Sequence, residues 1–391
     1  MSPYIIFTEN YEKGGGNKYL IDIVNSINNK PIIIVSNKKA IFAEDLLRLK
    51  KKVGFYNPEF ITRSLLVNKL KNIKSSPKIF FSALFVAFEP IFLIYNIFLF
   101  FFFLKKLKPQ KVIACNGGYP AAQAVLAFSL AARMHNIPVL MSVVSMPKKR
   151  RSPVYLYDLF LDKILWKSLN IIIVNAHAIG LALINLRGAP KSKITIIHNG
   201  IKNIKIQKHK IIKRPFTIGF VGRLEYAKGI TYLLDAFLEL AHSDNDINLT
   251  IVGSGDLLEY VSEKINQLNA SNRVKILGHY EGEISKVFNS FDLFVFPSLW
   301  EGLPYSIIEA MRAQCPIVST NVGGISEALI NNKSAILISP RSISDIVAAV
   351  KTLKNNNKKR NAMAREARLR FETFFNLSLM QTKVRSLVDS V

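Results

Sequence analysis

Two kinds of hydrophobic pattern alternate along the chain, and the alternation runs through it twice. In the first half, short unbroken apolar runs at Tyr4–Thr8, Pro31–Ser36, Lys111–Cys115, Pro138–Val144, Asn170–Val174 and Lys193–His198 predict strands. Between them, Lys18 to Asn28 and an Ala-rich stretch from about Pro120 to His135 place apolar residues at helical spacing. Strands apolar on both faces and separated by helices predict a parallel, doubly wound sheet. After a Lys-rich linker from Lys202 to Pro215 the pattern restarts. Strands are predicted at Phe216–Val221, Asn248–Val252, Val274–Leu277, Leu293–Phe296, Ile317–Thr320 and Ala335–Ile338, with helices at Gly229–Ala241 and Leu257–Leu268. The chain thus reads as residues 1–205, an N-terminal Rossmann-like domain; 206–376, a C-terminal one; and 377–391, a helix packing back on the first. No short repeat period is present, which excludes a solenoid. In open parallel sheets ligands bind beyond the carboxyl ends of the strands, so two such domains would point their loops into a shared cleft.

One stretch fits neither pattern. Ile79 to Leu104 is almost wholly apolar and Phe-rich, with Glu89 its only ionisable residue and Pro90 near its middle. Lys71, Lys74 and Lys78 precede it, and Lys105, Lys106 and Lys108 follow. It is long enough to span a bilayer. A proline break, a buried carboxylate and positive charge at both ends argue against a simple span. A span would also divide one sheet between two sides of a membrane. The expectation is two helices dipping into one leaflet with their lysines on anionic headgroups. A buried helix pair, an oligomer interface and a true span are the alternatives. Lys148-Lys149-Arg150-Arg151 either extends this basic face or is a solvated loop.

Composition sharpens this picture. Apolar residues make up 49% of the 391, enough for sizeable cores, and charged residues 20%, too few for a disordered chain. The net charge of +26 is uneven: residues 1–205 hold 30 Lys and Arg against 9 Asp and Glu, and residues 206–391 hold 23 against 18. A basic first half suits an anionic surface, either lipid headgroups or nucleic acid. No helix-turn-helix, zinc finger or aromatic ribonucleoprotein signature supports the latter. Cys115 and Cys315 lack metal-ligand spacing and read as small buried hydrophobes in a reducing compartment. Met1 to Asn10 has no signal-peptide pattern, so the expected location is the cytoplasm, peripheral on the inner face of the plasma membrane.

Candidate chemistry concentrates in the second half. Ser298-Leu-Trp-Glu301-Gly302-Leu303-Pro304 follows a predicted strand, and Glu309 falls about one turn into the helix that Pro304 would open. Carboxylates accept hydrogen bonds from sugar hydroxyls. Two glutamates at this spacing are common on any helix, but apolar and rigid neighbours surround Glu301. Arg223 and Lys228 share the loop that follows Phe216–Val221. Together a guanidinium fork and an ammonium can grip a diphosphate and stabilise a leaving nucleotide. Gly14-Gly15-Gly16 joins the first strand to the first helix, where backbone amides attract anions. Asn321-Val322-Gly323-Gly324 makes a similar turn before Glu327.

Taken together, Val221-Gly222-Arg223-Leu224 with Lys228-Gly229, Gly253-Ser254-Gly255, Pro297-Ser298 with Glu301-Gly302-Leu303-Pro304, Glu309-Ala310-Met311, and Asn321-Val322-Gly323-Gly324 with Glu327 resemble the retaining family-4 glycosyltransferases of GT-B fold. The likeness runs through almost the whole C-terminal half. It is looser in the first half, resting on Gly14-Gly15-Gly16 and His198-Asn199-Gly200. The resemblance implies an α/β protein of GT-B architecture, two Rossmann-like doubly wound domains facing across a cleft. It implies that Arg223 and Lys228 hold the donor diphosphate, Glu301 contacts the transferred sugar, Glu309 binds ribose hydroxyls, Gly302 and Leu303 line the donor site, and Gly14, Gly15 and Gly16 approach phosphates or acceptor. It implies no cofactor beyond the nucleotide-sugar donor and no metal; no Asp-x-Asp triplet is present. The expected acceptor is lipid-linked or a membrane-surface glycan, and no nucleic acid is expected as partner. Two departures stand out. Relatives often carry a His after the fourth of these first-half strands, where this chain has Val143-Val144-Ser145-Met146. They often read Asn-Gly-Val-Asp where this chain has Asn199-Gly200-Ile201-Lys202. The missing His keeps a non-catalytic partner subunit as an alternative, and the fold also hosts sugar-nucleotide epimerases and phosphorylases.

Overall fold

A computed structural model describes residues 2–9, 14–28, 30–37, 49, 52–63, 65–66, 85–120, 123–205, 215–267, 272–280 and 282–391. Lys71, Lys74, Lys78, residues 79–84 of the apolar stretch and most of the linker (206–214) lie outside this set. The described residues form two compact units, Met1–Ile197 with Gln381–Val391, and His198–Met380.

The first unit is built on a seven-stranded sheet of order β3-β2-β1-β4-β5-β6-β7, parallel at every pairing. Its strands are β1 (Tyr4–Thr8), β2 (Ile32–Ser36), β3 (Gly54–Tyr56), β4 (Lys111–Asn116), β5 (Val139–Val143), β6 (Ile171–Val174) and β7 (Ile194–Ile196). The three-residue β3 was not legible in the pattern; it is an edge strand with exposed ends and no apolar run. Among the described residues five helices accompany them: α1 (Gly15–Ser26), α2 (Glu89–Leu107), α3 (Gln123–Met134), α4 (Tyr155–Ser168) and α5 (His177–Arg187). Parallel crossovers are right-handed, so α1 covers one face of the sheet and α2 to α5 the other.

The apolar stretch resolves into a surface helix. The 19 residues of α2 have the length and hydropathy to cross a membrane, yet the helix joins strands of one sheet, β1–β3 before it and β4–β7 after. A crossing would part strands that are hydrogen-bonded to each other. Residues 85–87 are helical and Phe88 is a turn, after which α2 begins with Pro90 in its first turn, so the break falls just before the proline. Only a narrow stripe faces inward: Asn96, Phe100 and Leu104, at i, i+4 and i+8, are buried against α3. The Phe100 ring packs edge-on to Phe7 of β1 at 5.2 Å and to Phe128 of α3 at 5.0 Å. Asn96 clamps the Ile61 backbone from both sides, accepting from its N–H at 3.1 Å and donating to its carbonyl at 2.6 Å.

Glu89 is fully buried and compensated. Arg151 Nη1 lies 2.6 Å from its Oε2 and 2.8 Å from its Oε1. Arg151 also pairs with Asp158 of α4 at 2.8 Å, and Asp158 with Arg187 of α5 at 3.4 Å. Arg187 in turn meets Asp162 at 2.8 Å, and Asp162 receives Arg150 at 2.9 Å and the Tyr119 hydroxyl at 2.6 Å. Arg150 and Arg151 are therefore not part of a solvated basic run; they seal a charged core. Burial alone would raise the Asp158 carboxyl, but hydrogen bonds and the charges of Arg151 and Arg187 outweigh it and hold the group below the usual carboxylate range.

The second unit carries a six-stranded parallel sheet of order β10-β9-β8-β11-β12-β13. The strands are β8 (Phe216–Val221), β9 (Ile247–Val252), β10 (Val274–Ile276), β11 (Leu293–Phe296), β12 (Ile317–Thr320) and β13 (Ile336–Ile338). Its helices are α6 (Ile230–Ser243), α7 (Leu258–Gln267), α8 (Ile284–Phe288), α9 (Tyr305–Arg312), α10 (Ile325–Ala328), α11 (Ile343–Asn355) and α12 (Asn357–Phe374). His198 to Ile204 belong here rather than with the N-terminal sheet. Ile201 bridges to Asn376, Asn199 donates to the Leu303 carbonyl at 2.7 Å, and Arg368 reaches Asn203 at 2.6 Å. The last helix, α13 (Leu377–Asp389), begins in this unit and ends in the first, where Arg385 Nε donates to the Ser26 carbonyl at 3.3 Å and Lys111 donates to the Val388 carbonyl. Cys115 and Cys315 are buried free thiols, and burial pushes the Cys115 thiol up to about 12.

Candidate functional site

In the second unit the strand order reverses between β8 and β11, which follow one another across the middle of the sheet. Loops leaving the carboxyl ends of these two strands form the crevice where open α/β sheets bind ligands. The loop after β8 carries Arg223 and Lys228; the loop after β11 carries Ser298 and Glu301. The candidate residues of the C-terminal half thus bracket the switch point, a relation that strand order alone reveals.

The two loops are stitched together through their backbones. Leu299 N–H donates to the Ala227 carbonyl at 2.8 Å. Gly229 ends the short turn Tyr226–Lys228 in the left-handed region at φ 68°, and a Cβ there would meet the Pro297 carbonyl oxygen at 1.9 Å. Only glycine permits both that conformation and that approach. The loop after β12 closes the third side: Gly323, at φ 54°, would place a Cβ 1.9 Å from the Glu301 carbonyl oxygen, and Gly324 N–H donates to the Gly302 carbonyl at 2.8 Å. Thr320 Oγ1 donates to the Ser298 carbonyl at 2.5 Å and Ser319 Oγ to the Phe296 carbonyl at 2.8 Å. These two hydroxyls at the end of β12 fix the Glu301 loop from below. Sequence reasoning passed over them, since serine and threonine inside a strand carry no distinguishing signal.

On this frame Lys228 Nζ lies 2.5 Å from Glu301 Oε1, and Ser298 Oγ lies 2.8 Å from the same oxygen. Ser298 Oγ is also 2.9 Å from the Ala227 carbonyl, and its single proton serves one of the two at a time. Both charged side chains are mostly buried, Lys228 at 16% exposed and Glu301 at 9%. Glu301 Oε2 accepts no hydrogen bond among the described residues, and an ammonium keeps two further N–H donors beyond the one it gives Glu301. The pair therefore presents unspent donor and acceptor capacity side by side.

The other predicted residues stand apart from this trio. Arg223 is half exposed and pairs with Glu225 at 2.5 Å, not with Glu301. Glu309 is the fifth residue of α9, half-buried, and takes no part in the hydrogen bonds of Lys228 and Glu301. Pro304 occupies the capping position, one residue before the first helical turn. The Leu303 side chain is buried and its carbonyl accepts from Asn199 Nδ2 at 2.7 Å. His198 Nε2 lies 3.2 Å from Glu327 Oε2, joining two residues noticed in the sequence only as parts of separate motifs. Gly14, Gly15 and Gly16 lie in the other unit at the start of α1, exposed, and a Cβ on Gly14 or Gly16 would meet nothing within 4 Å. Packing does not require glycine at either position. Ser145, standing where relatives often carry His, is half-buried beside Gly118. Among the described residues no three His, Cys, Asp or Glu side chains are grouped to hold a metal ion.

Comparison with known proteins gives this geometry its context. Residues 201–370, the stretch that contains the Lys228–Glu301 crevice, match the family Glycosyl transferases group 1. Over 216 residues the chain is 26% identical to the capsular polysaccharide biosynthesis glycosyltransferase CapM of Staphylococcus aureus, covering 52% of this chain and 57% of that protein. It is 28% identical over 200 residues to glycogen synthase of Mycobacterium tuberculosis, covering 50% and 48%. The chain spans about half the length of the curated relatives it matches. Solved glycosyltransferases share the whole architecture. HepE of Anabaena in complex with UDP-glucose superposes with a TM-score of 0.74 at 17% identity, covering 100% of both chains. A glycosyltransferase of Rickettsia africae gives 0.74 at 17%, covering 98% of this chain and 97% of that one. The fold is GT-B, two Rossmann-like parallel-sheet domains, as the hydrophobic pattern and the motifs implied.

Proposed function

We propose that the protein transfers a sugar from a nucleotide-sugar donor, with retention of anomeric configuration, to a lipid-linked or membrane-surface glycan acceptor. The observation that carries this reading is the Lys228–Glu301 pair at the β8/β11 switch point, inside the stretch that matches Glycosyl transferases group 1. In this reading Lys228 and, from the loop rim, Arg223 hold the donor diphosphate. Glu301 accepts from hydroxyls of the transferred sugar through Oε2, and Glu309 receives the ribose hydroxyls. The bond from the anomeric carbon to the diphosphate oxygen breaks as the acceptor oxygen bonds to that carbon on the same face. The acceptor's proton passes to the departing phosphate oxygen. Lys228 offsets the charge that develops there, the kind of preorganised stabilisation that dominates many enzymatic rates. The Lys228–Glu301 contact holds each partner in place while the unspent Oε2 and N–H groups meet the donor.

The donor class is supported by the complex of HepE with UDP-glucose. Acceptor class and location rest on the basic N-terminal half and on the exposed apolar side of α2, which suit work at the inner face of the plasma membrane. A thermal-shift screen against nucleotide sugars and free nucleotides tests the donor site, because a ligand that binds the folded state raises its melting temperature. One nucleotide should stand out, and Lys228→Ala and Glu309→Ala should each abolish its shift and slow donor hydrolysis. Unchanged hydrolysis in both variants removes the proposed site. The run Val143-Val144-Ser145-Met146, with no His, favours a second reading, a partner subunit that binds donor without turning it over. A clear thermal shift with no hydrolysis or transfer would select it.

A further inference from the structure

Exposed apolar side chains are not confined to the stretch that the sequence singled out. On α2, Ile91, Tyr95, Phe98 and Phe102 stand in solvent at i, i+4, i+7 and i+11, Phe102 being 64% exposed. On α4, Leu156 and Phe160 do the same at i and i+4, and Leu156, at 78%, is the most exposed large apolar residue among those described. Each helix thus turns a row of large apolar side chains away from the core, whereas monomeric soluble proteins scatter such residues singly. Both helices cover the same face of the N-terminal sheet, each packed against α3. Their starts are tied by one side chain: Arg151 binds Glu89, the first residue of α2, and Asp158 of α4. That clamp fixes the two stripes relative to each other.

We propose that α2 and α4 together form one flat docking platform for an anionic lipid bilayer, with α4 an integral half of it. The proposal rests on the membrane-bound acceptor of the reading above but not on the donor chemistry. Cations border the platform at both ends. Lys148 and Lys149 are exposed before α4; Lys105 and Lys106 close α2, and Lys163 and Lys167 lie beside the α4 stripe. Apolar side chains along the axis with lysines at the ends are the arrangement of a helix lying in the plane of the interface, its side chains in the acyl boundary and its charges on phosphates. The same charges argue against a second copy as the occupant. A face-to-face pair would set these lysines against their own duplicates, in a half of the chain, residues 1–205, that carries 30 cationic and 9 anionic side chains. Nothing in α4's sequence drew attention to it, because Asp158, Asp162, Lys163 and Lys167 keep its mean hydropathy low.

Vesicle flotation tests this, using phosphatidylcholine with and without phosphatidylglycerol. The wild-type protein should float with the anionic vesicles and far less with the neutral ones. Leu156→Gln/Phe160→Gln, on α4, and Ile91→Gln/Phe98→Gln, on α2, should each weaken partitioning on the order of a hundredfold, from the apolar area each double change removes. Lys163→Gln/Lys167→Gln should lower binding to the anionic vesicles only. All these side chains are solvent-exposed, so thermal melts and the nucleotide-induced shift should match the wild type; that shift reports the donor site independently. If the α4 double variant floats as the wild type does while the α2 variant fails, the composite platform is wrong and the membrane-bound acceptor survives. If the wild-type protein ignores anionic vesicles, both fall, and the nucleotide shift still decides the donor reading. A drop in solution mass of the α4 variant from dimer to monomer would overturn the proposal in favour of an interface between copies.

Discussion

The two units each hold buried ion pairs, and the pairs are of opposite kinds. In the N-terminal unit, Glu89, Asp158, Asp162 and Arg187 are essentially removed from solvent, and each carboxylate meets at least one guanidinium. The C-terminal unit has one close Lys–Glu contact at the ends of two strands, with an unpaired carboxylate oxygen and an ammonium still able to donate. The first arrangement turns its charges inward and ties α2, α4 and α5 to one another, although Glu89 Oε2, 2.6 Å from Arg151 Nη1, takes no hydrogen bond. The second leaves capacity over at the place where the sheet topology opens a crevice. Burial of charge therefore does not separate the two kinds by itself; their place in the fold does, the second lying where the strand order reverses.

That contrast can be broken most directly at Asp162. Removing a carboxylate from a sealed network leaves Arg187 buried without its main partner, and Asp162→Ala should cost roughly 3–5 kcal/mol of stability. Urea unfolding measures it, and a loss below about 1 kcal/mol would show that water reaches the network. Lys228→Ala should behave in the reverse way. Turnover of the preferred nucleotide sugar should fall about 10²- to 10³-fold, by analogy with the loss of a transition-state donor. Its unfolding midpoint should move less than that of Asp162→Ala, because the pair borders solvent and Ser298 still donates to Glu301. Equal destabilisation with unimpaired turnover would make Lys228–Glu301 a structural pair like those of the other unit.

Acidification separates the units more gently. Asp158 is held below its ordinary carboxylate range by Arg151 and Arg187, against the cost of its burial. A carboxyl whose folded value is depressed contributes stability that is complete above the unfolded value and lost as pH falls through the folded one. The wild-type unfolding midpoint should therefore drop as pH falls below the usual carboxylate range, and Asp158→Asn should flatten that drop while lowering stability at neutral pH. A variant with the wild-type acid profile would assign the decline to other carboxylates.

The alternation of apolar runs was enough to read both doubly wound sheets, because strands buried on both faces leave long uninterrupted signals. It was not enough for β3, whose three residues at a sheet edge bury little. The apolar stretch was legible as unusual, but its periodicity could not say which of Phe98, Phe100 and Phe102 faces inward; the answer depends on Phe7 and Phe128, distant in sequence. The charged core was not legible as a unit: Glu89 and Arg151 stood out separately, while Asp158, Asp162 and Arg187, tens of positions further on, resemble ordinary surface residues one at a time. In the donor loops the motif named Lys228 and Glu301, while their contact needed the strand order. The motif also named Arg223, but that its guanidinium lies beside Glu225 on its own loop was not to be read from it.

The smallest expected effect concerns the glycines, and it bears on the same question of what a residue is kept for. Gly323 has no room for a side chain, since a Cβ would fall 1.9 Å from a carbonyl oxygen at a positive φ of 54°. Gly14 has extended backbone at φ 175° and open space around it. Alanine fits there without strain and restricts the unfolded chain, so Gly14→Ala should alter stability by no more than about 0.5 kcal/mol, in either direction. If the loop serves only to start α1, nothing else should change. If phosphate or acceptor approaches the exposed start of that helix, the added methyl should weaken substrate binding severalfold while the melting temperature of the free protein stays fixed. Steady-state kinetics read beside a thermal melt distinguish the two, and a variant indistinguishable from wild type in both would leave the crevice of the C-terminal unit to hold the donor without help from Gly14.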